Sequence, residues 1–230
     1  MIFQSENNFY TNDGSSVLHY AAASGHMEMI KYLMTIYGNK NPQNSHGETP
    51  LHFAIKNGVK LDIIQFFYAD ILQTNPSNKN KISLLHMAAE KGNIETFQYL
   101  FRKIQEKNPC DKNGKTPLHL AAEFGHIDIT KIIIDHVINK CPEDVIKRTP
   151  LHYAAMNGHV DIVNILIPIS KTLNSKDNYG KTPLNYASLN GHNNTVAAIV
   201  RQLSLIYIMT PLCSCSGIGG ISGSQFWSTG

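Results

Sequence analysis

One stretch of the chain carries the pattern that organises the rest. Residues 111–129 read Asp-Lys-Asn-Gly-Lys-Thr-Pro-Leu-His-Leu-Ala-Ala-Glu-Phe-Gly-His-Ile-Asp-Ile. The opening is polar, and Asn113-Gly114 predicts a turn tip. Leu118, Ala121 and Ala122 then share one face of a short helix, and the small alanines let a neighbouring helix approach closely. Thr116 followed by Pro117 marks its start: Thr supplies an N-cap oxygen, and Pro fits the first turn, where its missing N–H has no intrahelical partner. Gly125 stops it, because a residue with positive φ is least costly as glycine. A second apolar-periodic run over Ile127 to Ile138 predicts a longer outer helix.

The same polar turn, short helix and longer helix recur six times. Gly25, Gly58, Gly92, Gly125, Gly158 and Gly191 stand 33, 34, 33, 33 and 33 residues apart. His19, His52, His86, His119, His152 and Asn185 keep those steps. Neither helix of a unit can bury its apolar stripe alone, so stacked units must share one core. Thr-Pro-Leu-His stands at Thr49 to His52, Thr116 to His119 and Thr149 to His152. Thr182-Pro-Leu-Asn185 is a near match, with weaker copies at Ser16 to His19 and Ser83 to His86. On these residues the chain resembles the ankyrin repeat over roughly residues 8 to 206. The resemblance implies an all-α solenoid of about six helix-turn-helix repeats with protruding turn or β-hairpin fingers. The repeats fall near 8–40, 41–74, 75–107, 108–140, 141–173 and 174–207.

Departures from the pattern carry information of their own. The 34-residue step places an extra residue near Val59-Lys60, in the turn between the helices of repeat 2. Repeat 2 also lacks the usual His after its glycine. Lys81 and Lys147 replace the tip glycine in repeats 3 and 5, which predicts a different turn shape for those two fingers. The last outer helix, about Asn194 to Leu205, keeps Val196, Ile199, Val200 and Leu203 apolar. Either the tail folds over this end or the array continues beyond it.

Composition narrows the class. Hydrophobic residues make up 42% and charged residues 16%, as in soluble folded proteins. A formal net charge of +3 is too mild to imply nucleic acid. Four cysteines make no dense framework, which favours a reducing, cytoplasmic or nuclear setting. The polar start has no cationic n-region of a signal peptide, and no apolar run is long enough to insert in a membrane. Residues 208–230 are Gly/Ser-rich, which predicts a flexible tail. Cys213 and Cys215 in that tail read as ordinary tail residues.

Catalytic and cofactor chemistry find no support, and the expectation is no enzyme and no cofactor. The comb histidines sit a repeat apart, roughly 10 Å by helix-packing distance, whereas zinc needs ligands converging at about 2 Å. The expectation is that they bond the Thr hydroxyl and neighbouring backbone and so join repeats. Gly114-Lys115-Thr116 and Gly180-Lys181-Thr182 mimic the end of a phosphate loop, but Pro109 and Ser175 stand where its first glycine is required. Asn8, Asn41, Asn75, Asn108 and Asn174 form a further comb, three of them followed by Pro, which suits turns. The ankyrin resemblance implies that a loop asparagine in this register can be hydroxylated, and Asn174 best matches that context.

What remains variable must carry function. The resemblance implies a concave groove lined by finger tips and short helices, in which a monomer holds another protein. Lys and Arg dominate the tips, including Lys112, Lys115, Lys147, Arg148 and Lys181. They serve either as a solvated edge or as a match for a partner with an acidic face. Phe124, Met156 and Leu189 precede the comb glycines of repeats 4 to 6, and Val145, Ile146 and Tyr179 lie on the tips. Together with Arg148 they form the expected binding hot spot, the alternative for Met156 and Leu189 being packing between repeats. A second reading is the regulatory or targeting arm of a longer protein, such as a channel, a kinase or a ubiquitin-ligase adaptor.

Overall fold

A computed structural model describes residues 10–70, 76–170 and 172–209. Asn8 and Asn75 of the asparagine comb, and the tail from residue 210 with Cys213 and Cys215, lie outside the described residues. Twelve helices alternate between first and second members of six pairs among these residues. The first helices are α1 (Val17–Ser24), α3 (Pro50–Lys56), α5 (Leu84–Lys91), α7 (Pro117–Phe124), α9 (Pro150–Met156) and α11 (Pro183–Leu189). The second helices are α2 (Met27–Ile36), α4 (Leu61–Asp70), α6 (Ile94–Lys103), α8 (Ile127–His136), α10 (Val160–Leu166) and α12 (Asn193–Met209). Each first helix packs on the next first helix and on its own partner. The shared core is a single ladder in which Leu18, Leu51, Leu85, Leu118 and Leu151 are buried in successive repeats.

The helix starts follow from local chemistry. Ser16, Thr49, Ser83, Thr116 and Thr149 are N-caps in extended conformation, and the His three residues on completes a capping box. In repeat 4 the Thr116 N–H donates to His119 Nδ1 at 3.0 Å. Nδ1 is thus an acceptor, and Nε2 carries the proton. His119 Nε2 donates it to the Arg148 carbonyl of the next repeat at 3.1 Å. His19, His86 and His152 do the same to the carbonyls of Glu48, Lys115 and Ser175. These four imidazoles are the expected joints between repeats. His52 is different: its Nε2 is buried and meets no partner among the described residues.

In repeats 4 to 6 the residue after the comb glycine adds a second joint. His126, His159 and His192 each donate through Nε2, at 3.0 Å, to the carbonyl of Glu90, Glu123 or Met156 in the preceding repeat. Their rings lie so close over Gly92, Gly125 and Gly158 that a Cβ there would sit 2.2, 2.8 and 2.6 Å from the nearest ring atom. The glycines are therefore required both by positive φ and by this approach. In repeat 3 the position is Asn93, whose side chain instead caps its own helix at Thr96 N–H.

The fingers are turns. Among the described residues they contain no strand, only isolated bridges at Tyr10–Ser16 and Ser77–Ser83. Each is an Asx turn: Oδ1 of Asn44, Asn78, Asp111, Asp144 or Asp177 accepts the backbone N–H groups two and four residues on. Lys81 and Lys147 were expected to reshape their fingers. They take φ of 59° and 62°, beside 74° to 75° at Gly14, Gly47 and Gly114, and keep the same turn bond. The Asx turn and the link to the next tip hold the left-handed residue in place, at a cost of about 1–2 kcal/mol. Backbone bonds join every tip to the next: Ser45 to Asp13, Lys79 to His46, Lys112 to Asn80, Val145 to Asn113 and Asn178 to Ile146.

Helix lengths also depart from the pattern in places. α8 ends at His136, because Val137 turns extended (φ −100°, ψ 143°), so Ile138 is outside the helix and exposed. The extra residue of repeat 2 sits between α3 and α4, where the sequence places it. α12 runs 17 residues, four beyond Leu205.

Candidate functional site

The tips and first helices of repeats 4 to 6 bring most of the expected residues onto one side. Two groups result. At the tips, Val145, Lys147, Tyr179 and Lys112 are exposed and Ile146 and Lys181 are half-buried, with Asn178 Nδ2 reaching the Val145 carbonyl at 3.4 Å. At the ends of the first helices, Phe124 and Leu189 are exposed and Met156 is half-buried. Phe124 stacks on His126 (ring centroids 6.5 Å, planes at 17°), so it rests on the joint to repeat 3 while keeping one face open.

A polar-aromatic stripe connects the two groups. Tyr153 and Tyr186 follow the comb residues His152 and Asn185 and face the fingers. Tyr153 donates its hydroxyl to Asp144 Oδ2 at 2.7 Å, and Tyr186 donates to Asp177 Oδ2 at 2.6 Å. Arg148 lies between them. Its Nε donates to Asp177 at 3.2 Å and its Nη2 to the Tyr186 hydroxyl at 2.7 Å, while its guanidinium carbon stands 5.0 to 5.9 Å from the ring centres of Tyr186, Tyr179 and Tyr153. Lys115 bonds Glu123 at 2.7 Å and sits 4.3 Å over the Tyr153 ring. Lys181 lies 5.5 Å from the Tyr186 ring.

The titration of these groups follows from their partners. Burial alone would raise the Asp177 carboxyl, but donors from Tyr186, the Lys181 backbone and Arg148 outweigh it and hold it at about 2. Burial works against the Arg148 charge, yet Asp177 and Tyr186 raise its pKa further. Burial and the Asp144 carboxylate push the Tyr153 phenol up. The stripe therefore holds Asp177 ionised against Arg148, with the Tyr153 and Tyr186 phenols pushed away from ionisation. It supplies shape and paired charge, not a proton shuttle.

The site residues taken from the sequence thus differ in availability. Arg148 and Lys115 are committed to Asp177 and Glu123, whereas Lys112 and Lys147 extend freely from the tips. Tyr153, Tyr186, Asp144, Asp177 and Glu123 escaped the sequence reading. The signal was present as two equal spacings, Tyr153 to Tyr186 and Asp144 to Asp177, each one repeat long.

The asparagine register has two environments. Asn108 Oδ1 accepts the Leu118 N–H at 3.3 Å and so props the start of α7. Asn174 sits exposed in a turn, its own N–H bonded to Thr172 Oγ1 at 3.2 Å. A cavity of about 430 Å³ opens nearby, lined by Asn139, Cys141, Pro150, Leu166 and Thr172 among others. Cys141 donates its thiol to the Ile169 carbonyl at 3.1 Å there. Among the described residues no three His, Cys, Asp or Glu side chains come together to hold a metal ion, and no helix is long and apolar enough to cross a membrane.

Comparison with known proteins gives two results. A family model described as "Ankyrin repeats (3 copies)" matches residues 1–76, 60–144 and 137–206. A homologue of transient receptor potential cation channel subfamily A member 1 from Caenorhabditis elegans is 40% identical over 80 residues. That match covers 35% of this chain and 6% of the relative, so the chain spans only a small part of that protein's length.

Proposed function

The chain belongs to the ankyrin-repeat family, and from that premise we propose that it is a cytoplasmic, non-catalytic protein-binding module whose partner lies across repeats 4 to 6. Ankyrin repeats are protein-interaction units, and rigid stacked helices let the partner bear most of the ordering cost. The observation that carries the reading is that Val145 and Tyr179 stand 62% and 68% exposed on neighbouring tips that also bear Lys147 and Lys181, with Leu189 64% exposed at the end of α11. Large apolar and aromatic side chains inside a polar rim are what interaction surfaces contain. With Lys115 and Arg148 neutralised by their own acids, Lys112 and Lys147 give the tips a positive excess. A partner with an acidic face would associate faster for that reason.

Site-specific photo-crosslinking tests this. A crosslinking residue at Tyr179 should trap a partner in cell extract, and the yield should fall as salt rises. The same probe at Lys131, exposed on α8, should trap much less. Equal yields from the two faces would sink the proposal.

A second reading is the regulatory arm of a longer protein. The partial match to the channel homologue supports it, since 80 aligned residues are a small segment of that relative. An antibody against residues 111–129 separates the two on a blot of source cells. A band at the mass of these 230 residues supports the module, and a much larger band supports the arm.

A further inference from the structure

We propose that the two ends of the array are complementary, and that copies of this chain associate head to tail through them. This surface is the end face of the stack; it meets the proposed partner site at Leu189 and is tested without that partner.

The argument rests on the repeat register. His126, His159 and His192 each cover the glycine of the preceding repeat and donate to its carbonyl. His26 holds the same position in repeat 1, where it is exposed and no described residue accepts from it. Met29 shares this end. It is 51% exposed, whereas Ile63, Thr96, Ile129, Ile162 and Thr195 in its register are all at most 2% exposed. The first repeat therefore presents a donor and an apolar side chain that elsewhere dock on a neighbour.

The last repeat presents the matching socket. Gly191 has φ of +72° and nothing within 4 Å of where a Cβ would stand, unlike Gly92, Gly125 and Gly158. Leu189 is the register equivalent of Glu90, Glu123 and Met156, and no described residue donates to its carbonyl. Val200 is 44% exposed, while in its register Met34, Phe101, Ile134 and Ile167 are buried and Tyr68 is half-buried. His26 of one copy would thus seat over Gly191 of the next and donate to the Leu189 carbonyl, burying Met29 and Val200.

Two residues make this junction wetter than an internal one. Asn185 and Ser188 are exposed where internal repeats carry buried His and Ala or Ile. The association is accordingly reversible and depends on concentration. Its two halves are different surfaces, so it is heterologous and grows as an open chain instead of closing as a two-fold dimer. This replaces the monomer that the sequence alone suggests.

Sedimentation of the full chain over a concentration series up to about 1 mM tests it. The weight-average mass should climb past that of a dimer. Met29→Glu and Val200→Glu, both at exposed positions, should each stay monomeric with an unchanged melting curve. Mixed in equal amounts they should form a single heterodimer, since each keeps the surface that the other has lost. A wild-type chain that stays monomeric, growth that stops at two copies, or a mixture that stays monomeric would each overturn the proposal.

Discussion

The junction between repeats 2 and 3 and the junction between repeats 4 and 5 share one fold and one apolar ladder, yet differ in polar wiring. At 4–5, His119 reaches the Arg148 carbonyl, His159 reaches back to Glu123, and the Val145 N–H joins the tips. At 2–3, only the tip bond from Lys79 to His46 is made among the described residues. His52 Nε2 is orphaned, and Asn93 bonds its own helix, leaving the space over Gly58 open. By register His52 should meet the Ile82 carbonyl, which accepts only the Asn78 N–H, whereas the Glu48, Lys115 and Arg148 carbonyls each accept the matching finger N–H and a histidine Nε2 as well. Apolar stacking therefore makes the repeat array, while the histidines set how tightly each pair of repeats is held.

The core supplies the largest test of that contrast. Leu51 and Leu118 are both fully buried. Leu51→Ala and Leu118→Ala should each cost about 2–5 kcal/mol in urea unfolding. A markedly smaller loss at Leu51 would mean that the 2–3 junction is loose in its apolar packing as well.

Acid comes next, and it should act alike at both junctions. Burial lowers the pKa of His52 and of His119 to about 4, against roughly 6.5 in an unfolded chain. Between those values the unfolded state binds more protons, so stability is full above the unfolded value and falls as pH drops towards 4. At pH 5 each of these two residues should account for about 2 kcal/mol of lost stability. His19, His86 and His152 are shifted in the same direction by burial. Urea midpoints at pH 7 and 5, repeated for His52→Gln and His119→Gln, measure the share of each. A flat response to pH would contradict the buried neutral state.

The wiring itself predicts a smaller difference. Each missing link corresponds to about 1 kcal/mol. Native-state hydrogen exchange at low urea should therefore find α3 opening before α7, with repeats 1 and 2 parting from the rest. Identical opening energies throughout would erase the distinction. The finest test is at the tips, where Lys81→Gly and Lys147→Gly should each raise stability by roughly 0.5–1 kcal/mol through relief at positive φ. Equal gains would show that both tips hold the same turn despite their different junctions.

Much of this molecule is legible in the chain itself. Thr116-Pro117 and its copies give the helix starts, because an N-cap and its third residue are local partners. Gly125 gives the helix stop, and the 33-residue combs give the stacking and the joining role of four histidines. The site was legible only in part. Phe124, Val145, Tyr179 and Leu189 are exposed as expected, but nothing local announced that Asp177 would claim Arg148 or that Glu123 would claim Lys115.

The misses share a physical cause. A sequence by itself determines contacts that close within a few residues: caps, turns and the apolar face of each helix. It also suggests that Lys81 cannot copy a glycine, since the local rule penalises positive φ. Only the stacked structure decides bonds that span a whole repeat, such as His119 to Arg148 or Arg148 to Asp177, because their geometry depends on how one unit settles on the next. The same cooperation holds Lys81 in the glycine conformation and leaves His52 without an acceptor. The repeat is thus written in the chain, while the strength of each junction and the availability of each surface charge are properties of the stack.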